Sequence, residues 1–131
     1  MRNDLLNQDC TRKLLQYLAT ELKPDSSGRK KRPVKLRKSL QDLPEYSPED
    51  IYQSATYLAD RGFISLVDKN NSPRFFVISG VSAEALDYLQ AIEDETIWCR
   101  LKSIFPDVFK ATLTDILTAA VGNGLHHFFG K

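Results

Sequence analysis

The most constraining stretch of this chain is residues 47–81, where a helix start, a helix stop and two short apolar runs follow one another closely. Ser47-Pro48-Glu49-Asp50 opens the helix. The serine hydroxyl accepts from free backbone N–H groups, proline suits the first helical position, and the two acids face the positive helix end. Ile51, Ala55, Leu58 and Ala59 form its apolar stripe. Gly62 ends it, because glycine adopts the left-handed conformation that closes a helix. Phe63-Ile64-Ser65-Leu66-Val67 then reads as a strand, Lys69-Asn70-Asn71-Ser72-Pro73 as a turn, and Arg74-Phe75-Phe76-Val77-Ile78 as the return strand. The short connection makes the two strands antiparallel neighbours.

Helical patterns flank this stretch. Leu5, Leu14, Leu15, Leu18 and Leu22 recur at helical spacing and predict a helix from about Asp9 to Leu22, capped by Asp9 or Thr11. Pro24-Asp25-Ser26-Ser27-Gly28 breaks it. Pro33 to Leu36 is expected as a short strand, and Lys38 to Leu43 as a short helix. Ser82 caps a further helix expected to run to Ile104, with Ala85, Leu86, Leu89, Ile92 and Trp98 on its apolar face and Pro106 as its stop. From Thr112 to Phe129, Leu113, Ile116, Leu117, Ala120 and Val121 make a last apolar stripe, extended by Leu125 and Phe128. The expected class is mainly α with a small β-hairpin (α+β), arranged as a winged helix-turn-helix with an extra C-terminal helix. One domain is expected over residues 1–131, with a basic loop at 24–38, a wing at 63–79 and a helical extension at 112–129.

Length and composition narrow the function. A chain of 131 residues suits a single domain that needs no metal or disulfide to hold it. Cys10 and Cys99 are far apart and read as two reduced, packed thiols of a cytoplasmic protein. No signal-peptide pattern and no run of ~20 apolar residues is present, so no membrane partner is expected. His126-His127 lacks ligands at metal spacing and reads as a frayed terminal pair. Glu93-Asp94-Glu95 occupies consecutive positions, which diverge on a helix, so these acids read as solvated surface. Trp98 on an apolar face reads as core. With no glycine-rich phosphate loop, nucleophile elbow or Ser/His/Asp set, a non-catalytic protein without cofactor or metal is expected.

Charge points to a partner. Residues 1–46 carry 11 Lys+Arg against 6 Asp+Glu, and residues 47–131 carry 7 against 11. Seven of the ten residues from Arg29 to Lys38 are basic. Such a run meets phosphates and releases their counterions, or it is a solvated basic loop. In the duplex DNA reading, Arg29, Lys30, Lys31, Arg32, Lys35, Arg37 and Lys38, with Lys69 and Arg74 of the wing, contact phosphate. Gln53, Thr56 and Tyr57 on the capped helix then face base edges. The helix itself opposes this reading: residues 47–61 carry Glu49, Asp50 and Asp60 against Arg61 alone, with no cation in the first turns. The alternative is an adaptor or inhibitor that binds another protein through Tyr52 and Tyr57, or through a C-terminal dimer seam.

Several motifs carry a resemblance. Leu58-Ala59-Asp60-Arg61-Gly62-Phe63-Ile64, Ser82, Tyr88-Leu89 and Asp94-Glu95-Thr96-Ile97-Trp98 stand in this order. In these features the chain resembles an uncharacterised winged-helix family of phages, prophages and bacterial mobile elements, over most of residues 9–104. The resemblance implies the winged-helix fold and that biological setting, and no activity. Ala85 stands where that family usually has glycine, Ala83 replaces a frequent large residue, and the basic run Arg29 to Arg32 is this chain's own.

Overall fold

A computed structural model describes residues 7–24, 27–28, 32–68 and 72–120. It is mainly helical with a small three-stranded antiparallel sheet. The chain divides into two compact units, Met1–Leu86 and Asp87–Lys131.

The first unit runs α1 (Gln8–Glu21), β1 (Val34–Lys35), α2 (Leu36–Asp42), α3 (Pro48–Asp60), β2 (Ile64–Leu66) and β3 (Val77–Val81). Strand β3 is central, in the order β1-β3-β2, and Val34 pairs with Ile78 while Ile64 pairs with Val81. Helices α1 and α3 pack together over a core that includes Leu14, Leu15, Leu18, Ile51, Ala55 and Leu58, all without solvent exposure. Two polar contacts set their alignment. The Thr11 and Ser54 hydroxyls meet at 2.9 Å inside this interface, and Asn7 Nδ2 donates to Asp50 Oδ2 at 3.1 Å.

Helix ends follow side-chain chemistry. Ser47 accepts from the Asp50 N–H at 3.1 Å, as expected of the cap of α3. The cap of α1 is Asn7, which accepts from the Cys10 N–H, and neither Asp9 nor Thr11 takes that role. Gly62 has φ +77° and donates to the Ala59 carbonyl just past α3. A Cβ there would meet nothing within 4 Å, so only backbone strain opposes a side chain. Gly62→Ala should therefore cost about 1 kcal/mol of unfolding free energy in urea titrations, and Gly62→Asn less.

The region expected as a basic loop over 24–38 is ordered at its C-terminal end. Pairing of Lys35 with Val77 and burial of Val34 and Leu36 start α2 at Leu36, two residues before the expected Lys38. Lys35 is thus on a strand, and Arg37 and Lys38 are on a helix. The return strand also shifts. Pro73 opens a 3₁₀ turn, Pro73–Phe75, in which Phe75 N–H donates to the Ser72 carbonyl. Arg74 and Phe75 leave the strand, which instead runs Val77–Val81.

α4 (Ala83–Ile92) is capped by Ser82, whose hydroxyl accepts from the Ala85 N–H at 3.0 Å. The single helix expected to Ile104 is two helices, because Asp94 is extended and caps α5 (Glu95–Ile104) by accepting from the Ile97 N–H at 3.0 Å. The acids at 93–95 therefore do not share a continuous helix. Leu86, expected in the apolar face, is 48% exposed. In the second unit, the Trp98 and Phe109 rings lie 6.0 Å apart and the Tyr88 and Phe109 rings 6.3 Å apart. The Tyr88 hydroxyl donates to the Ala111 carbonyl. Val108 and Phe109, in a turn the sequence pattern passed over, are fully buried. Of the C-terminal stripe, α6 (Leu113–Ala120) is described, with Ile116 buried and Leu117 46% exposed. Val121, Leu125, His126, His127 and Phe128 lie outside the described residues.

The two thiols differ, against the expectation that both are packed. Cys10 has no exposure and Cys99 is exposed, since Trp98 takes the inward position on α5. Burial pushes the Cys10 thiol up from 9.0 to about 11, against a smaller lowering by its bond to Ser54. Ellman's reagent should modify one thiol rapidly in the native chain and two after unfolding. The unfolded Cys10 thiol ionises near 9.0 while the folded one keeps its proton to about 11, so stability present below pH 9 is lost across that window. Burial raises Tyr17 and Tyr46 as well, with the same sign. Unfolding midpoints should fall between about pH 8 and about pH 10.5, with a shallower fall in Cys10→Ala.

Candidate nucleic-acid interface

The first unit brings three of the sequence-predicted cations together. Leu36 N–H donates to the Phe76 carbonyl at 2.9 Å, next to the Lys35–Val77 pairing. This clamp joins the β1–α2 junction to the start of β3. Lys35 and Arg37 flank Leu36, and Arg74 and Phe75 precede Phe76, so all four line one depression of about 170 Å³. Arg74 has its guanidinium 6.0 Å from the centre of the Phe75 ring, and that ring is 54% exposed. Three cations without a carboxylate among the described lining residues make a positive site. A volume this small takes a phosphate or the edge of a ring, since cavities for whole small molecules begin near ~300 Å³.

The other predicted phosphate contacts divide. Lys38 is bound to Glu21 Oε1 at 3.1 Å, which couples α2 to α1 and offsets its charge. Arg32 is exposed. Arg29, Lys30, Lys31 and Lys69 lie outside the described residues.

The base-edge candidates on α3 also divide. Gln53 is exposed, whereas Tyr52, Thr56 and Tyr57 are half-buried. Thr56 Oγ1 donates to its own helix at the Tyr52 carbonyl, 2.9 Å away, which leaves the methyl group for outside contact. The Tyr57 hydroxyl is buried, which removes it from any groove contact. Thr56 borders a separate groove of about 630 Å³ with Asp60 and Gly62 at the end of α3, Ser65 and Leu66 of β2, and Pro73. Glu49 is exposed at the tip of α3, while Asp50 holds Asn7. Arg61 at the far end lies 5.2 Å from the centre of the Phe63 ring.

Phe75 is the residue that pattern reading missed. As part of a presumed strand it alternates with Arg74 and Phe76 and carries no functional signal. Only the proline-led turn turns it outward. The paired aromatics one residue beyond Ser72-Pro73 are the one hint in the sequence.

The sequence that builds these elements has a match. A family model described as "Hypothetical protein (DUF2513)" matches residues 5–110. The chain belongs to that family. The match takes in the depression, Asp94 and Trp98 of this DUF2513 member, and stops before α6. No curated protein and no solved structure matches the chain. Among the described residues, no helix is long and apolar enough to cross a membrane, and no group of three or more His, Cys, Asp or Glu is placed to hold a metal ion.

Proposed function

We propose that this DUF2513 member is a small, non-catalytic winged-helix protein that binds duplex DNA in a regulatory role, in the cytoplasm and in a phage or mobile-element setting. The observation that carries the reading is the gathering of Lys35, Arg37 and Arg74 around one depression beside the hairpin. The order α1-β1-α2-α3-β2-β3, with β3 between β1 and β2, supports the winged-helix assignment. In that assignment α3 is the recognition helix, with Gln53 and the Thr56 methyl turned toward bases. Arg32 and the cations of the depression meet phosphates on either side.

The test is a fluorescence-anisotropy titration of random-sequence duplex at low and moderate salt. Binding that weakens steeply with salt supports the reading, and absence of binding at low salt removes it. The acid-tipped α3 favours a second reading, an adaptor that docks on a host or phage protein, with a homodimer through the C-terminal helix as one form of it. A partner recovered in a pull-down that nuclease leaves intact would favour the adaptor.

A further inference from the structure

The depression at the β1–α2 junction holds one group that phosphate binding does not use. Phe75 is a large apolar ring, 54% exposed, set among Lys35, Arg37 and Arg74. Its neighbour Phe76, on the same turn, is buried at 6% exposure, so the fold had a core position for one ring and turned the other out. The Arg74 guanidinium lies over the outward ring, 6.0 Å from its centre.

A blunt duplex offers such a ring no base face along its length, because its bases are stacked and only their edges show in the grooves. An unpaired base presents a π face, and a cation beside an aromatic platform can hold the adjoining phosphate. We infer that this depression receives one nucleotide whose base is unpaired, with its phosphate on Lys35, Arg37 and Arg74 and its base against the Phe75 ring. The volume fits this division: about 170 Å³ takes the phosphate, and the base stays on the surface against the exposed Phe75 ring. The inference deepens the proposed function and rests only on its nucleic-acid part. It predicts a preference for single strands, frayed ends or overhangs over blunt duplex. The site reads no base identity, since every base has a π face.

The test uses the full chain and two labelled probes, an oligothymidylate of about 15 nucleotides and a blunt duplex of about the same length. Anisotropy titrations compare the native chain with Phe75→Leu, Phe75→Tyr and Arg74→Ala. Phe75 is exposed, so far-UV circular dichroism should be unchanged in its variants. Phe75→Leu should weaken oligothymidylate binding roughly 5- to 150-fold and leave the blunt duplex unaffected, and Phe75→Tyr should restore the single-strand affinity. Arg74→Ala should weaken both probes and lower both salt slopes by about one. An equal effect of Phe75→Leu on both probes, no effect on either, or no oligothymidylate binding by the native chain overturns the inference. Phe75-dependent binding of oligothymidylate with no duplex binding removes the duplex reading and supports this one. Duplex binding indifferent to Phe75, with none of oligothymidylate, does the reverse.

Discussion

Trp98→Ala should remove about 3–5 kcal/mol of unfolding free energy, a large part of the ~5–15 kcal/mol that holds a domain together. The indole is 1% exposed and is the largest fully buried side chain among the described residues. It packs on Phe109, which also carries Tyr88, so one deletion loosens a three-ring cluster. Lys102 Nζ lies over the indole ring, 5.6 Å from its centre. Truncation to alanine leaves a cavity that α5 cannot close, because Asp94 pins its first turn and Leu101 is buried one turn on. Urea titrations followed by far-UV circular dichroism measure the loss. Trp98→Phe keeps a ring against Phe109 and should cost about half as much. A loss below about 1 kcal/mol for Trp98→Ala would mean the indole is not a packing residue.

Neutralising Lys35, Arg37 and Arg74 together should lower the slope of log binding constant against log salt by about three for blunt duplex. Under the duplex reading these are the phosphate contacts that the fold holds in one place. Between about 50 and about 200 mM salt, three such contacts account for a roughly 40-fold change in affinity. Each side chain is exposed, so the triple glutamine variant should fold as the native chain does. Lys38→Gln is the internal comparison. Its ammonium is already on Glu21, so the same substitution there should change the slope by much less than one. An unchanged slope in the triple variant would place any DNA contact elsewhere on the chain. A change in Lys38→Gln as large as in one of the three would show that the depression is not a distinct site.

Much of the architecture was legible from local chemistry. Ser47-Pro48 marked the start of α3, Gly62 its end, and Ser82 the start of α4, because caps and stops depend on one or two residues. The stripe Ile51, Ala55, Leu58 is buried as its spacing implied. The failures also have local explanations. Asp94 was read as one acid among three on a long helix, since its role as a cap needs the extended backbone seen at that position. Arg74 and Phe75 read as strand because alternation alone does not reveal a 3₁₀ turn opened by Pro73. Tyr57 sits on the polar side of the α3 helical pattern, yet its hydroxyl is buried.

The candidate site shows the same division. Its cations were visible as residue types, and their shared location was not. Arg74 is 37 positions along the chain from Arg37, and nothing in the intervening pattern states which strand lies beside which. The pairing of β1 with β3 decides it, through a two-residue strand too short to be specified by periodicity.

From its own residues the chain determined where helices begin and stop, which faces turn inward and that its cations concentrate before residue 39, because these depend on neighbours within a few positions. Only the tertiary structure decided that Lys35, Arg37, Arg74 and an outward Phe75 share one depression while Lys38 is spent on Glu21. The shared depression comes from pairing between segments some forty residues apart, such as Leu36 N–H to the Phe76 carbonyl, and long-range pairing of that kind leaves no mark in local sequence.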